Sequence, residues 1–319
     1  SVKNYKYLFG PVPSRRFRRS LGVDLTPYKT CSLDCVFCQL GRTVKKTISR
    51  EEYVPIEEVL LELGEWLESG GQADYITLSG SGEPTLHSRF GDVLEFVRKK
   101  STIPAALLTN ATLLSISEVR EAARIANVVK VSLSAWDQAS FEWMNRPHPE
   151  LVFEEVVQGQ KAFREMFKGS LWMEVFIVRG INSSPKDVEK IARFAREIRP
   201  DRIHLNTVVR PPAESFATAP SRTQLEELCP LFHPKAEVIA EFDSSLTTNV
   251  KVNEDMIFTM LQRRPCTAQD IAEIFGLHIN EVSKYLGKLL RKDLIRARRN
   301  EEGVYYTKTI TEEKADANL

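Results

Sequence analysis

Hydrophobic residues recur along the first two thirds of the chain in two alternating patterns. Short apolar runs such as 75–78 are typical of buried strands, and segments such as 54–67 carry apolar residues at helical spacing. The predicted strands cover 21–25, 75–78, 105–109, 128–133, 172–178 and 203–208, and the predicted helices cover 54–67, 90–97, 116–126, 152–167 and 188–198. Strands that alternate with helices form parallel βαβ units. The pattern therefore predicts an α/β fold, an open partial (β/α)6 barrel over residues 1–215.

The pattern changes after the sixth predicted strand. Residues 216–250 contain a short predicted helix at 224–228 and a predicted strand at 237–242, which indicates a linker and a segment that covers the barrel. Residues 251–310 then predict three helices followed by a β-hairpin. This order is typical of a small C-terminal winged helix-turn-helix domain, similar to bacterial and archaeal regulator domains. Residues 311–319 are left as a tail.

Two local signals support the helices of this second domain. Thr267 is a suitable N-cap for the second helix. The third helix, 279–290, has apolar residues that we expect to face inward at Val282, Leu286, Leu289 and Leu290.

Composition and charge narrow the possible surroundings of the chain. It has 319 residues with 44 basic and 43 acidic side chains, so net charge alone favours no nucleic acid partner. No apolar run is long enough to cross a membrane, and the first residues carry no apolar signal segment. Few cysteines and no secretion signal predict a cytoplasmic protein in a reducing compartment.

Three of the five cysteines, Cys31, Cys35 and Cys38, are spaced C-x3-C-x2-C. Three thiolates without a fourth suit a [4Fe–4S] cluster that leaves one iron open to an outside ligand. Structural zinc normally requires four Cys or His ligands, and a disulfide would leave one cysteine over. Zinc binding, a disulfide and buried inert cysteines stay open as alternatives.

The motif, with Phe37 just before its third cysteine, resembles the radical S-adenosylmethionine (SAM) superfamily. Its context, from 10–16 through 38–41, is similar to a branch of iron–sulfur oxidoreductases related to the tRNA wyosine-forming enzymes. The resemblance implies that the three cysteines hold a [4Fe–4S] cluster, that Phe37 packs beside it, and that SAM binds the open iron. Reduction of the cluster would then cleave SAM into methionine and a 5′-deoxyadenosyl radical.

Further cofactor-binding candidates follow the predicted strands, because ligands of barrel enzymes lie at the carboxyl ends of strands. A glycine turn at 79–86 resembles the Gly-Gly-Glu-Pro motif of the superfamily, with Ser81 in place of its first glycine. The cofactor-binding candidates in this turn and at the later strands are Gly80, Gly82, Glu83, Asn110, Ser132, Ser134, Glu174, His204 and Asn206. Glu174 lies within an apolar run, where a carboxylate requires a partner, so it is either an ion-pair member or a site residue.

Two basic segments are candidates for contacting substrate. Arg15 and Arg16 belong to a Pro-rich, basic N-terminal arm, which is either solvated or placed near an anionic ligand. Arg146 and His148 lie in a loop with tandem prolines after the fourth strand, which is either part of the site or a surface connector.

The second domain offers a basic surface for a macromolecular partner. The third helix of such domains enters the DNA groove in many readers. The candidate contact residues are Lys284, Lys288, Arg291, Arg296 and Arg298. Nearby glutamates dilute this charge, so the surface suits either a nucleic acid, RNA ahead of DNA, or a docking protein.

Taken together, the sequence predicts a radical SAM enzyme with a [4Fe–4S] cluster and SAM as cofactors. A low-potential donor such as a flavodoxin or ferredoxin would supply the electron. tRNA is the substrate that the resemblance suggests, although the chain has no cysteine before Cys31 for the second cluster of the wyosine-forming enzymes. Activation of a protein or peptide substrate is the alternative, and an iron–sulfur redox-sensing regulator that binds nucleic acid is a different class of function.

Overall fold

The structure is a computed structural model that describes residues 5–14, 16–209, 211–239, 254–263, 265–275, 277–300 and 303–309. The chain divides into two compact units, Ser1–Leu246 and Thr247–Leu319. The boundaries expected at residues 215 and 250 stay a prediction. No helix of the described residues is long and apolar enough to span a membrane.

The first unit alternates strands and helices. Its strands are β1 (Leu8–Ser14), β2 (Arg18–Val23), β3 (Thr30–Cys31), β4 (Lys45–Lys46), β5 (Tyr75–Leu78), β6 (Ala105–Leu108), β7 (Val128–Ser132), β8 (Ser170–Ile177), β9 (Arg202–Thr207) and β10 (Glu237–Val238). Its helices are α1 (Ile56–Glu68), α2 (Phe90–Lys100), α3 (Ser117–Ala123), α4 (Gln138–Asn145), α5 (Phe153–Met166), α6 (Pro185–Ile198) and α7 (Arg222–Leu228).

Eight of these strands form one sheet in the order β1-β2-β5-β6-β7-β8-β9-β10. Every neighbouring pair is parallel except β1 and β2. The six strands predicted from the sequence are the consecutive strands β2 and β5 to β9. The fold is therefore α/β with a mostly parallel sheet.

The two faces of this sheet differ in chemistry. Apolar side chains such as Val131 and Met173 alternate along the strands and pack in one core with the helices. The residues between them point to the opposite face, which we call the inner face. That face carries Glu174 and His204 at paired positions of β8 and β9, and Lys130 two residues before the β7 partner of Glu174. Charged residues are costly to bury in a purely apolar core, so the inner face is a candidate functional region of the sheet.

The N-terminal arm is more ordered than a solvated segment. Residues Leu8–Ser14 form the antiparallel edge strand β1, a position that accepts prolines because an edge strand lacks one row of ladder partners. Phe17, in the turn that follows, stacks on Trp172 at a ring-centroid distance of 5.1 Å. The turn between β1 and β2 therefore folds back against the inner face.

Two other elements differ from expectation. Helix α4 was not predicted; it begins at a capping box of Asp137 and Ser140 and ends at Arg146 in the left-handed conformation. Strand β10, predicted over 237–242, is described only to Val238 and pairs with β9; residues 240–242 lie outside the described residues.

The second unit contains the helices α8 (Glu254–Arg263), α9 (Ala268–Phe275) and α10 (Ile279–Arg291) and the strands β11 (Cys266–Thr267), β12 (Ile295–Asn300) and β13 (Gly303–Lys308). The strands form an antiparallel sheet in the order β11-β13-β12. Thr267 accepts a hydrogen bond from the amide of Asp270, which confirms the predicted N-cap. Leu290 is 38 % exposed, so its expected inward position was wrong, because it lies about 100° around the helix from Leu289.

Candidate cofactor site

The cysteine loop runs from β3 to β4 and carries Cys31, Cys35 and Cys38. The two short strands pair in parallel, so the loop returns to its own base. All five cysteines of the chain are free, and the three in this loop are partly exposed. Within the described residues no three His, Cys, Asp or Glu side chains converge on one metal ion. An iron–sulfur cluster does not require such convergence, because each thiolate binds a different iron.

Each cysteine sulfur of the loop accepts a hydrogen bond from a different side chain. Asn110 donates to Cys31 Sγ at 3.5 Å, and Asn145 donates to Cys35 Sγ at 3.2 Å. Lys29 Nζ donates to Cys38 Sγ at 3.0 Å. Three separate donors aimed at three sulfurs form a positively polarised shell, which suits thiolates rather than neutral thiols.

Although parts of these residues reach the surface, protein atoms surround the sulfurs of Cys31 and Cys35 and disfavour bare thiolates there. Burial, and then Glu83, raises the pKa of Cys31 to about 11. The pKa of Cys35 is also raised, first by burial and then by the neighbouring cysteines. Iron held by these thiols would have to displace their protons, and it would supply the positive charge that the sulfurs lack in this surrounding.

The glycine turn lies directly against the cysteine loop. A Cβ atom on Gly82 would be 1.9 Å from the Thr30 carbonyl oxygen, so this position requires glycine. Gly80 has φ +141°, and a Cβ there would overlap Asp24. Ser81, which departs from the family motif, donates its hydroxyl hydrogen to Asp24 at 2.6 Å. The substitution therefore adds an anchor to the turn.

Glu83 is buried, and its carboxylate links the turn after β5 to the residues that follow β6. Its carboxylate accepts hydrogen bonds from Thr85 and Thr109 hydroxyls, both at 2.6 Å, and from the Asn110 amide at 2.7 Å. It also caps the short helix Pro84–Leu86. Both oxygens are therefore occupied by protein donors, and Glu83 positions Asn110 beside Cys31.

The loop after α4 is hydrogen-bonded to the cysteine loop. The backbone amides of Asp34 and Val36 donate to the carbonyls of Asn145 and Met144, both at 2.9 Å, and the His148 amide donates to Ser32 at 2.9 Å. Arg146 forms ion pairs with Glu214 and Asp34. Arg146 and His148 therefore contact the cysteine loop and help to hold it in place. The loop that carries them is not a simple surface connector.

Aromatic packing supports the second half of the cysteine loop. Phe37 stacks on Phe176 of β8, with ring centroids 4.3 Å apart. The Phe176 amide donates to the hydroxyl of Ser134 at 2.9 Å. Ser134 is therefore engaged in holding this strand end, whereas Ser132 is partly exposed and accepts from Lys130 at 3.1 Å. Ser132 and Ser134 line one small cavity together with Asn110 and Asn145.

The inner face carries a buried ion-pair network. Glu174 pairs with Arg16 from the β1–β2 turn and with Lys130 at 3.5 Å. Asn206 donates to the same carboxylate at 3.1 Å. Of the two expectations for Glu174, the structure shows the ion pair. Arg16 thus meets a protein carboxylate, and Arg15 lies outside the described residues.

Burial controls the protonation of the remaining inner-face groups. Burial, and then Arg16, lowers the pKa of Lys130 to about 7. Burial and three nearby cations lower the pKa of His204 to about 3, so that ring is neutral. His204 packs edge-on against Trp172, and its Nδ1 has no hydrogen-bond partner in the described residues.

The basic residues of the second unit form a surface of their own. Lys284, Lys288 and Arg291 are exposed on α10 and line a shallow concavity with Asn280 and Tyr285. Arg298 is exposed and Arg296 is half-buried on β12.

Three functional positions escaped the sequence analysis. Lys29 and Asn145 donate to cysteine sulfurs, and Lys130 joins the Glu174 network. The sequence could have indicated two of them. Lys29 lies only two residues before Cys31, and Lys130 interrupts an apolar strand on the same face as Ser132. Asn145 gave no such indication, because its helix was not predicted.

Comparison with protein families identifies this site. Residues 25–195 match the model of the radical SAM superfamily. The chain belongs to this superfamily. Its members use a [4Fe–4S] cluster and SAM, which are therefore the cofactors of this chain, and a radical SAM domain implies an enzyme of radical chemistry.

Curated relatives cover nearly the whole chain. The UPF0026 protein MJ1312 of Methanocaldococcus jannaschii is 30 % identical over 314 residues, which are 95 % of this chain and 96 % of that protein. A protein of Brachyspira hyodysenteriae named GTPase Obg is 34 % identical over 91 % of this chain. The chain spans only 43 % of the length of that protein.

Solved structures show the same fold. Streptococcus suis SuiB bound to S-adenosylmethionine has a TM-score of 0.52 at 16 % identity, over 70 % of this chain and 50 % of SuiB. A radical SAM methyltransferase from Sphaerobacter thermophilus has the same TM-score and identity, over 71 % of this chain and 67 % of that protein.

The residues present fit a cluster with three thiolate ligands. The donor set supplies three cysteines, and the buried ammonium of Lys29 contacts Cys38 without any carboxylate in ion-pairing range among the described residues. A buried ammonium requires a negative partner, and a thiolate-bound cluster provides one.

Proposed function

We propose that the chain cleaves SAM reductively and uses the resulting 5′-deoxyadenosyl radical to abstract hydrogen from a substrate, with tRNA as the first candidate. The observation that carries the proposal is the cysteine loop, in which each sulfur accepts one hydrogen bond and the glycine turn packs against the loop base.

The protein residues have separate tasks in this proposal. Cys31, Cys35 and Cys38 hold the cluster, which supplies one electron and an open iron for SAM when bound. The backbone of Gly80 to Gly82 would meet the SAM amino group, as the resemblance of this turn to the family motif implies. Ser132, whose hydroxyl is partly exposed beside Asn110 and Asn145, is the best placed of the strand-end candidates for the rest of SAM.

We further propose that a small acidic electron carrier, such as a flavodoxin or ferredoxin, docks on residues 42–46. This strip returns from Cys38 to β4, and β4 pairs with the strand that ends at Cys31. Val44 is 75 % exposed, and Arg42, Lys45 and Lys46 are exposed around it. An apolar centre with basic neighbours is complementary to an acidic carrier.

The second unit is our candidate for substrate recognition. Three helices and a three-stranded antiparallel sheet have the order of a winged helix-turn-helix domain. The exposed Lys284, Lys288 and Arg291 on α10 favour a phosphate backbone, and Glu281 in the same concavity reduces that preference. The likeness to the tRNA wyosine-forming enzymes supports RNA, and a protein substrate is the alternative.

The test is an anaerobic assay of 5′-deoxyadenosine after cluster reconstitution, with SAM and dithionite present. We expect slow formation without substrate and faster formation with total tRNA. Acceleration by total soluble protein alone would indicate a peptide substrate. No 5′-deoxyadenosine in any mixture, from a chain with a full cluster, would reject the enzyme and favour a redox-sensing regulator.

Charge reversal on α10 tests the RNA part of the proposal. We expect Lys284→Glu with Lys288→Glu to weaken tRNA binding about tenfold or more at low salt, and to reduce the salt slope by about two, because two phosphate contacts are lost. Fluorescence anisotropy with labelled tRNA at several salt concentrations measures both quantities.

The matched control reverses two exposed lysines of the first unit, Lys168→Glu with Lys235→Glu, and thus changes net charge equally. Equal losses in the two double variants would show that binding follows net charge and would reject α10 as the contact surface. Unchanged tRNA binding by the α10 variant would reject it as well.

A further inference from the structure

Lys29 occupies an unusual position directly beneath the cysteine loop. The residue is 3 % exposed and has φ +55°, a left-handed conformation that residues with a side chain rarely adopt. Its amide donates to the Ser81 carbonyl at 2.7 Å, and its carbonyl accepts from the amides of Val44 and Lys45 at 3.0 and 3.1 Å. Hydrogen bonds to the glycine turn and to the end of the cysteine loop therefore hold the backbone of Lys29 in place.

This backbone conformation directs the ammonium at a sulfur atom. Lys29 Nζ lies 3.0 Å from Cys38 Sγ. Among the described residues no carboxylate lies within ion-pairing distance of it, although Asp34 and Glu83 belong to the adjacent turns. A strained, buried cation without a carboxylate indicates a functional position, because the surrounding structure must hold it there.

The other two sulfurs have neutral donors. Asn145 reaches Cys35 from the end of α4, and Asn110 reaches Cys31 from the end of β6. Cys38 alone of the three has a cationic donor in the described structure. Of the three described donors to the sulfurs, the only charged one therefore lies at Cys38, the cysteine that leads into the exposed strip 42–46.

We infer that Lys29, assisted by Asn145, is a positioning residue that raises the reduction potential of the cluster bound by Cys31, Cys35 and Cys38. Reduction adds one electron, and hence one negative charge, to a group that is already anionic. A nearby cation and N–H donors to sulfur stabilise the reduced form more than the oxidised form. The inference rests on the proposed function only in that the chain holds a cluster.

The experiment is an anaerobic redox titration of the reconstituted chain without SAM, followed by the EPR signal of the reduced cluster. Lys29→Met removes the charge and keeps the length of the side chain, so we expect a more negative midpoint potential. A tenfold loss in the preference for the reduced form corresponds to about 59 mV for this one-electron couple. Lys29→Arg keeps the charge and should restore most of the potential.

The control is Lys168→Met, which removes an exposed lysine of the first unit that donates to none of the three cysteine sulfurs in the described structure. Its midpoint should match that of the unaltered chain. Asn145→Ala, which removes only one neutral donor, should shift the midpoint in the same direction by less. If Lys29→Met assembles no cluster, Lys29→Gln, which also removes the charge, takes its place in the comparison with Lys29→Arg.

Unchanged midpoints in Lys29→Met and Asn145→Ala, with full iron content, would overturn the inference and leave SAM cleavage untouched. Equal shifts in Lys29→Met and Lys168→Met would also overturn it, because the effect would then be general surface charge. Failure of the unaltered chain to take up any cluster would instead contradict the cofactor assignment. The two failures are therefore distinguishable.

Discussion

We expect replacement of Cys35 with serine to abolish cluster binding and, with it, the formation of 5′-deoxyadenosine. A serine hydroxyl is a much poorer ligand for iron in such clusters than a soft thiolate. Changes to residues that merely support metal ligands already reduce affinity or activity 10- to 100-fold, so loss of a ligand should reduce 5′-deoxyadenosine formation by more than about 100-fold. Iron content, visible absorption and the SAM assay measure the effect.

Cys229→Ser provides the matched control. Cys229 is buried in the core of the same unit, and its thiol donates to the Leu225 carbonyl, a contact that a hydroxyl can also make. This variant should retain the iron content and the activity of the unaltered chain. A Cys35→Ser chain that keeps both would contradict the assignment of Cys35 as a ligand.

The sequence predicted the parts of this molecule that depend on local pattern. The six strands of the predicted barrel were found because each is a short, largely apolar run, and most are followed by a helix with its own periodicity. The spacing of the three cysteines was equally informative, since the loop returns to its base within the short segment between β3 and β4. The same applies to Thr267, whose capping bond joins residues three positions apart.

The parts that were missed depend on contacts between distant segments. The charge of Arg16 indicated an anion, but its partner Glu174 lies on a strand far along the chain. Asn145 donates to Cys35 across 110 positions, at the end of an eight-residue helix too short to show a clear helical period of apolar residues. Strand β1 was not predicted because it contains prolines, which a strand tolerates mainly at the edge of a sheet.

Inner-face charges were the hardest feature to interpret from sequence. A lone Lys130 or Glu174 in an apolar strand indicates a buried charge without identifying its partner. The strand register places them on one face, where Glu174 pairs with both Arg16 and Lys130. The turn that carries Arg16 also carries Phe17, which packs on Trp172, so the arm both covers this face and balances its charge.

The second large effect that we expect, on both stability and iron binding, follows from adding one methyl group at Gly82. In Gly82→Ala the new Cβ would lie 1.9 Å from the Thr30 carbonyl oxygen and 2.7 Å from the Thr26 hydroxyl. The carbonyl cannot move alone, because it also accepts the amide of Glu83 at 3.1 Å and directly precedes Cys31. The overlap must separate the glycine turn from the cysteine loop.

We therefore expect Gly82→Ala to lower the free energy of unfolding by at least about 1–3 kcal/mol, the usual range for overpacking, and to bind little iron after reconstitution. Urea denaturation of the metal-free chain measures the first effect, and iron content measures the second. The two readouts distinguish a displaced loop from a chain that has simply unfolded.

Gly64→Ala is the matched control for this substitution. Gly64 lies within α1, and a Cβ there meets only Phe96 Cζ at 3.5 Å, an ordinary contact. Alanine favours a helix interior over glycine by about 1 kcal/mol, so this variant should be at least as stable as the unaltered chain. It should also bind its full complement of iron. If Gly82→Ala behaved like Gly64→Ala in both measurements, the close packing of the glycine turn against the cysteine loop would be wrong, and with it the geometry on which SAM binding beside the cluster depends.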